Sequence, residues 1–235
     1  MEAWRRSNPD VVPAVGPPAP GPRFSNFSSN ARNIMSYAIV GFGKIGQALA
    51  HAFARRNIDV TVSSRRSPEA LAPQARAIGP TVVAKSLRDA LVDSDTIMLA
   101  VPFGEHQEVA KALPSWKGKT VIDATNAFGV LPEELDGLPS SAFVAKSFTS
   151  AKVVKGFNHL GAAILATDPV VEGSHRVVFL SSDEEDAIAA VADLAKKLGF
   201  APVKLGKFNE GGALVHARGR TWGQLIFQDL FKKEQ

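Results

Sequence analysis

The stretch Tyr37-Ala38-Ile39-Val40-Gly41-Phe42-Gly43-Lys44-Ile45-Gly46 decides the fold of this chain. It begins as a short apolar run typical of a buried strand and leads directly into the pattern G-x-G-x-x-G. Apolar residues then recur at helical spacing, at Ile45, Leu49, Ala52 and Phe53. The stretch therefore predicts a strand, a glycine-rich turn and a helix, in that order.

The three glycines of this turn have separable physical roles. Gly41 lets the chain turn tightly off the strand, Gly43 leaves room beside the backbone, and Gly46 lets the helix pack close to the sheet. The start of the helix offers unpaired N–H groups and a partial positive charge, which attract phosphate. We therefore predict that the turn binds the pyrophosphate of a dinucleotide through Gly41, Phe42, Gly43, Lys44, Ile45 and Gly46.

The end of the second predicted strand indicates which dinucleotide binds. Ser63-Ser64-Arg65-Arg66 stands about 20 residues after the first glycine, where NAD-binding proteins carry a carboxylate. A carboxylate would repel a 2′-phosphate, whereas hydroxyls and guanidiniums offer it hydrogen bonds and positive charge. The alternative is that Arg65 and Arg66 form a solvated surface pair. The position after this strand favours an NADP(H) pocket that includes Ser63, Ser64, Arg65 and Arg66.

From Ser36 onward, predicted strands and helices alternate, which is typical of a parallel sheet with helices on both faces. Later strands are predicted at 81–84, 96–101, 120–123, 152–157, 176–180 and 201–205. A helix is predicted from Gly211 to the end of the chain, and its apolar side comprises Trp222, Leu225, Ile226, Phe227 and Leu230. We therefore predict an α/β protein with a doubly wound, mostly parallel sheet, the NAD(P)-binding Rossmann fold, and a small C-terminal α/β extension.

Residues 1–34 differ in composition from the rest of the chain. Six prolines fall between Pro9 and Pro22, and a stretch rich in Ser and Asn follows. Such a composition buries too little apolar surface to offset chain entropy. It predicts a disordered extension at 1–34 before an NADP-binding Rossmann domain with a C-terminal helix at 35–235. A transit peptide, or translation from a start upstream of Met35, are the other interpretations.

Composition excludes several classes of function. The chain has no cysteine, which rules out disulfides, thiolate catalysis and cysteine metal sites. Its net charge of +4 is too small to indicate nucleic-acid binding, and its apolar runs are too short for a transmembrane helix. We expect a cytoplasmic protein that acts on a small molecule, with no metal, nucleic-acid or membrane partner. The apolar side of the last helix predicts a homodimer.

Other strand ends supply further candidates, because ligands of open α/β sheets bind beyond the carboxyl ends of the strands. The end of the fourth strand should border the path from adenosine to nicotinamide. Two asparagines could hold the nicotinamide carboxamide or a substrate carbonyl, or could be plain turn residues. His159 could be a general acid or merely begin a helix. No catalytic residue is assigned, and the cofactor-binding set also includes Ala100, Val101, Pro102, Asn126, Gly156 and Asn158.

Six segments, in this order, resemble a known family: GFGKIG, Ser-Ser-Arg-Arg, a strand ending Ala-Val-Pro, Val-Ile-Asp-Ala-Thr-Asn, Lys-Gly-Phe-Asn and Trp-Gly-Gln-Leu. Over about residues 36–235 the chain is similar to the dinucleotide-binding enzymes typified by deazaflavin-dependent NADP oxidoreductase. It also resembles the oxidoreductase domain of eukaryotic metalloreductases. The resemblance implies that NADP(H) binds at the glycine loop and at Ser64, Arg65 and Arg66, with a flavin or deazaflavin as co-substrate.

The resemblance makes an NADP(H)-dependent oxidoreductase the leading hypothesis. Hydride would pass between the nicotinamide and a flavin-like or other small acceptor, a reaction that needs alignment more than acid–base help. One alternative is a β-hydroxyacid-type dehydrogenase. Such enzymes pair a similar first domain with a long helical domain, whereas the second half of this chain still alternates strands and helices. The other alternative is a non-catalytic NADP(H)-sensing protein.

Overall fold

Strand β1 (Tyr37–Val40) lies inside the sheet, where its apolar sequence predicts it. Residues Ala38 to Val40 are buried, and the neighbouring strand β4 (Thr96–Leu99) is buried along its whole length. Apolar runs of this kind form the inner strands of parallel sheets, because helices cover both faces. The computed structural model of the chain describes residues 35–217 and 225–233.

Six strands of the described chain form the parallel part of the sheet. Besides β1 and β4, they are β2 (Val60–Ser63), β3 (Val82–Ala84), β5 (Thr120–Asp123) and β6 (Lys152–Gly156). Their spatial order is β6-β5-β4-β1-β2-β3. The chain thus moves outward from β1 to β3 and returns to β4 on the other side of β1. In such sheets this reversal opens the crevice in which ligands bind.

Helices connect these strands and cover the two faces of the sheet. Ser67 and Ser86 begin the second and third helices as predicted, since each Oγ accepts a hydrogen bond from a backbone N–H three residues later. Caps of this kind contribute about 1 kcal/mol each. The α-helices of the described residues are α1 (Lys44–Arg55), α2 (Pro68–Ile78), α3 (Leu87–Val92), α4 (His106–Ala110), α5 (Ser140–Ser147), α6 (Ala162–Leu165) and α7 (Glu185–Lys197).

The second half of the chain adds a smaller, partly antiparallel region. Strand β8 (Ser174–Ser181) runs antiparallel to β6, and it pairs with β7 (Val170–Val171) and β9 (Ala201–Lys204). Helix α7 connects β8 to β9, which therefore lie parallel. The predicted fold class, a doubly wound and mostly parallel sheet with a small α/β extension, is confirmed.

The predicted C-terminal helix is wrong in the described residues. Gly211–Val215 is a short 3-10 helix, and Phe231–Lys233 is a strand, β10, that pairs antiparallel with β8. Ile226 is buried, whereas Phe227 and Leu230 are exposed. These residues therefore do not form one apolar helix face, and a homodimer built on such a face loses its basis. Trp222 and the predicted extension at 1–34 lie outside the described residues.

Two apolar clusters, one on each face of the sheet, hold the described chain together. One joins α1, α2 and α7 to the sheet and includes Phe53, Leu71 and Phe200. The other lies under α3, α4 and α5 and includes Trp116 and Phe148, whose rings meet edge to face at 4.7 Å. Because β1 contributes side chains to both clusters, its carboxyl end is held firmly in place. The glycine turn begins at that end.

Candidate functional site

A cleft of about 680 Å³ opens at the carboxyl ends of β1, β2 and β4. The three strand ends meet because β1 pairs with β2 on one side and with β4 on the other. The cleft falls within the size range of small-molecule and cofactor sites. The predicted residues that line it are Gly41, Phe42, Gly43, Ser64, Arg65, Arg66, Ala100, Val101 and Pro102.

Two glycines of the turn are required by the fold, and one is not. Gly41 has φ +98°, and a Cβ there would lie 2.3 Å from the carbonyl oxygen of Ala100. A Cβ at Gly46 would lie 1.9 Å from the carbonyl oxygen of Gly41. In contrast, a Cβ at Gly43 would meet no atom of the described residues within 4 Å. The open space at Gly43 is the cradle that a pyrophosphate needs for close approach to the backbone.

The first turn of α1 faces this space without a competing acid. Gly43 is the N-cap residue, it supplies no side-chain cap, and the first turn contains no Asp or Glu. The N–H groups of a helix start that lack such partners attract anions, as does the positive end of the helix dipole. Lys44, Ile45 and Gly46 do not line the cleft, since they form the first turn of α1 itself.

The polar residues at the end of β2 and just after it comprise one buried side chain and three that line the cleft. Ser63 is fully buried, and its carbonyl oxygen accepts a hydrogen bond from the N–H of Gly41 at 2.9 Å. Ser64 Oγ accepts from the N–H of Arg66 at 3.0 Å, which fixes the turn. Arg66 Nη2 donates to Gln74 Oε1 at 3.2 Å. The structure thus gathers Ser64, Arg65 and Arg66 on one wall of the cleft and turns Ser63 away from it.

Sequence reasoning missed five residues that also line the cleft: Val40, Leu87, Glu105, Glu108 and Val109. Glu105 has the greatest chemical effect, because its Oε1 lies 3.2 Å from Arg65 Nη1. It ends a 3-10 helix, Phe103–Glu105, that follows β4 after Ala100, Val101 and Pro102. The pairing of β1 with both β2 and β4 brings the segments after those strands together. Because ligands of such sheets bind beyond the carboxyl ends of the strands, the segment after β4 was already a candidate, and Glu105 could have been identified with it.

The two predicted asparagines lie together beyond β5 and β6. Asn126 Nδ2 donates to the carbonyl oxygen of Asn158 at 2.8 Å, and Asn158 Nδ2 donates to Asn126 Oδ1 at 3.0 Å and to the carbonyl oxygen of Val215 at 2.7 Å. Asn158 Oδ1 is buried and accepts no hydrogen bond from the described residues. Gly156 has a packing role, since a Cβ there would lie 2.8 Å from Leu180 Cδ2.

A fully buried ion pair underlies these asparagines. Lys155 Nζ lies 3.2 Å from Asp123 Oδ2 and donates to the carbonyl oxygen of Thr125 at 2.5 Å. Burial alone would raise the pKa of Asp123, but Lys155 and hydrogen bonds from Ser141 and Thr125 hold it below its ordinary value. Burial lowers the pKa of Lys155, and Asp123 opposes that shift. The pair fixes the loop that carries Asn126 and is enclosed away from any ligand.

His159 is not placed to exchange protons with a substrate. It is fully buried, its Nε2 lies 3.2 Å from the carbonyl oxygen of Val177, and its ring packs edge-on against Phe179. Burial lowers the pKa of His159 to about 4. The imidazole is therefore neutral at physiological pH. Of the two interpretations, a general acid or a residue without a role in proton transfer, the structure favours the second.

Exposed aromatic side chains lie beside the asparagine pair. Phe128 follows Asn126 by two positions, and the N–H of Phe227 donates to the carbonyl oxygen of His159 at 2.6 Å. The rings of Phe128 and Phe227 stack at 6.1 Å between centroids, and about half of each side chain is exposed. We call these two rings the aromatic surface. Planar molecules stack favourably on surfaces of this kind.

In residues 35–217 and 225–233 no group of three or more His, Asp or Glu side chains could hold a metal ion. The same part of the chain has no helix with the length and apolar character needed to span a bilayer. The polar groups of the cleft include the hydroxyl of Ser64 and the guanidiniums of Arg65 and Arg66, beside the backbone N–H groups at the start of α1. These groups fit a phosphorylated dinucleotide, because Gly43 leaves its approach open.

Comparison with known proteins agrees with this chemistry. Residues 36–127 match the family model described as NADP oxidoreductase coenzyme F420-dependent. The crystal structure of hypothetical protein SMa0349 from Sinorhizobium meliloti is 37% identical, with a TM-score of 0.77, and the match covers 86% of this chain and 97% of that one. A candidate F420-dependent NADP reductase from Arthrobacter sp. FB24 is 25% identical, with a TM-score of 0.62, over 74% of this chain and 86% of that one.

Eukaryotic relatives share the same region. Metalloreductase STEAP3 of Rattus norvegicus is 26% identical over 170 residues, which are 72% of this chain and 33% of the relative. The chain thus spans about a third of the length of the curated relatives it matches. The family match and the nearly full-length similarity to the Sinorhizobium protein show that the chain belongs to the family described as NADP oxidoreductase, coenzyme F420-dependent.

Proposed function

We propose that this enzyme passes a hydride between NADP(H) and a flavin-like or other small ring acceptor, and that the cleft at β1, β2 and β4 holds the nucleotide. One observation carries the proposal. Ser64, Arg65 and Arg66 line the same cleft as the open face of Gly43, and β2 ends without the carboxylate of an NAD site. The cleft therefore combines a pyrophosphate cradle with a cationic wall.

Each part of the cleft has a defined task in this proposal. The N–H groups at the start of α1 and the backbone at Gly43 bind the pyrophosphate. Arg65 and Arg66 donate hydrogen bonds to the 2′-phosphate, and Ser64 fixes the turn that carries them. Ala100, Val101 and Pro102 form the floor between the two ends of the nucleotide. NADPH supplies the hydride when bound, and the protein supplies position.

The asparagine pair and the aromatic surface are proposed to serve the reacting end. Asn126, which is half-buried, is proposed to meet the carboxamide, while Asn158 is enclosed and positions Asn126 through their hydrogen bonds. The aromatic surface includes Phe128, two positions after Asn126, and offers a stacking face to a planar acceptor. Hydride transfer between two stacked rings requires no acid or base from the protein. This agrees with the enclosure of Lys155, Asp123 and His159.

The function is tested with purified full-length protein. In calorimetric titrations, NADPH should bind at least about tenfold more tightly than NADH, because even one hydrogen bond to a charged phosphate contributes ~1.5 kcal/mol. NADPH oxidation should then be followed with a flavin, a deazaflavin, a ferric chelate, a quinone and a simple ketone as acceptors. We expect turnover with the flavin or the deazaflavin. Equal affinity for both nucleotides, or turnover of the ketone alone, would contradict the proposal.

A further inference from the structure

One acidic side chain stands inside the cationic wall of the cleft. Arg65 is 86% exposed, and its Nη1 lies 3.2 Å from Oε1 of Glu105, which is 35% exposed. Glu105 comes from the segment after β4, across the cleft from the β2 end. The guanidinium proposed to bind the 2′-phosphate therefore already has an anionic partner within the protein.

The second acid of the cleft differs in its pairing. Glu108 Oε1 lies 2.7 Å from Lys111 Nζ, one helical turn away, and both side chains are about 70% exposed. Glu108 is thus compensated by a lysine that does not line the cleft. Glu105 has Arg65 as its partner. Both glutamates line the cleft and carry the same charge, but only Glu105 forms its ion pair with an arginine of the cationic wall.

A 2′-phosphate and Glu105 compete for the same donors. If Arg65 turns to the phosphate, it gives up the carboxylate of Glu105, so the lost ion pair offsets part of the new contact. If Arg65 stays with Glu105, the phosphate loses one of its two guanidiniums. In both cases Glu105 lowers the affinity for the phosphorylated nucleotide, whereas NADH has no phosphate at this position and is affected less.

We propose that Glu105 is a specificity-determining residue that limits the preference for NADP(H) by holding Arg65. The inference rests on the proposed assignment of the 2′-phosphate to the Ser64–Arg66 cluster. If Glu105 holds Arg65, the two arginines together contribute less to the free energy of NADPH binding than two unpaired arginines would. Exposed ion pairs have small energies, so the effect is a moderate one.

The test is Glu105→Gln, which keeps the length and polarity of the side chain and removes its charge. NADPH should bind about two- to fivefold more tightly, the range that exposed ion pairs give in double-mutant cycles. NADH affinity should change by a smaller factor, and the gain should shrink as salt is added. Glu108→Gln is the matched control, and it should leave the ratio of the two affinities unchanged.

A second variant shows whether Glu105 acts through Arg65. In the Arg65→Ala background, Glu105→Gln should no longer strengthen NADPH binding, because the competition has been removed. A gain that persists there, or an equal gain for NADH, would overturn the inference. If the unmodified enzyme prefers NADPH and loses that preference with Arg65→Ala, but Glu105→Gln has no effect, only this inference fails. If Arg65→Ala affects neither nucleotide, the phosphate assignment itself fails.

Discussion

At the scale of single residues, the two adjacent guanidiniums after β2 give the wall of the cleft its positive charge. Arg66 is held by Gln74, while Arg65 projects into solvent and contacts Glu105. A buried pair here would cost desolvation, whereas exposed donors remain available to an incoming phosphate. The carboxylate that would favour NAD is absent from this position. We therefore expect the nucleotide preference to depend on few side chains and to be lost when they are changed.

We expect the double variant Arg65→Ala with Arg66→Ala to weaken NADPH binding by at least about tenfold, since each hydrogen bond to a charged group contributes ~1.5–3 kcal/mol. NADH should lose much less affinity, because it lacks the 2′-phosphate. Isothermal titration with each nucleotide measures both values. Arg76→Ala with Lys117→Ala removes the same charge from exposed positions outside the cleft and serves as the control. A parallel loss for both nucleotides would contradict the assignment.

Other contacts between single residues could not be predicted from the sequence. Asp123 and Lys155 are direct neighbours in the register of β5 and β6, and they are 32 positions apart along the chain. Their burial depends on helices packed over both strands. The sequence indicated polar residues near these strand ends, but not which of them would be enclosed. Asn126 and Asn158 could be identified because each follows a strand end directly.

At the scale of elements, the glycine turn shows which features local sequence determines. Gly41 and Gly46 follow from backbone constraints that operate within a few residues and the adjoining strand, so strand, turn and helix could be predicted together. The helix starts at Ser67 and Ser86 were predictable for the same reason, since a cap is a local hydrogen bond. Long-range strand pairing has no comparable local signal.

The C-terminal segment illustrates the opposite case. Its apolar residues have spacings compatible with a helix, but Phe231–Lys233 instead pairs with the exposed edge of β8. Arg176 of β8 reinforces this arrangement, because its Nε donates to Asp229 Oδ1 at 2.7 Å and its guanidinium lies over the ring of Phe231. The segment thus adopts the structure that its partner strand imposes, and helical periodicity was a poor guide.

The glycine turn has a proposed role in nucleotide binding and a separate role in packing, and substitutions can separate the two. Gly43→Ala should weaken NADPH and NADH alike, by about tenfold, because the pyrophosphate is common to both nucleotides. Its effect on stability should stay within about 1 kcal/mol, since the new Cβ meets no atom in the part of the chain that the structure describes and the backbone there is extended. Thermal unfolding and nucleotide titration measure the two effects separately.

Gly46→Ala is the matched comparison, because it adds the same methyl group three residues later. There the Cβ would lie 1.9 Å from the carbonyl oxygen of Gly41, so α1 must move away from the turn. We expect destabilisation of about 1–3 kcal/mol or more, as found for overpacked interiors. If Gly43→Ala destabilised the protein as much as Gly46→Ala, the proposed division between a ligand-facing and a packing glycine would be wrong.

At the scale of the whole molecule, the alternation of strands and helices was sufficient to predict the sheet, because each crossover must be right-handed and must cover a face. The pH dependence of stability could not be predicted in this way, since it depends on how deeply a titratable group is buried. His159 lies between the end of β6, strand β8 and the segment around Phe227. Its enclosure couples the protonation of one ring to the unfolding of the entire sheet.

We expect the free energy of unfolding to fall as the pH drops from about 6.5 to about 4, because the pKa of His159 is about 4 in the folded protein and near 6.5 when unfolded. In that range the unfolded chain binds the proton and the folded protein does not, so acid favours unfolding. The neutral His159 makes its full contribution to the free energy of unfolding above pH 6.5. This contribution is of the order of 3 kcal/mol, at ~1.36 kcal/mol per pKa unit.

Urea unfolding at pH 7.5, 5.5 and 4.5 measures this dependence, and His159→Gln isolates it from the carboxylates that also titrate. Glutamine can still donate a hydrogen bond towards the carbonyl oxygen of Val177, but it cannot take up a proton in this range. The variant should therefore lose less stability on acidification than the unmodified protein, whatever its stability at pH 7.5. His51→Gln, on the exposed side of α1, should retain the original slope. An unchanged slope in His159→Gln would show that the buried imidazole does not control the acid sensitivity of the fold.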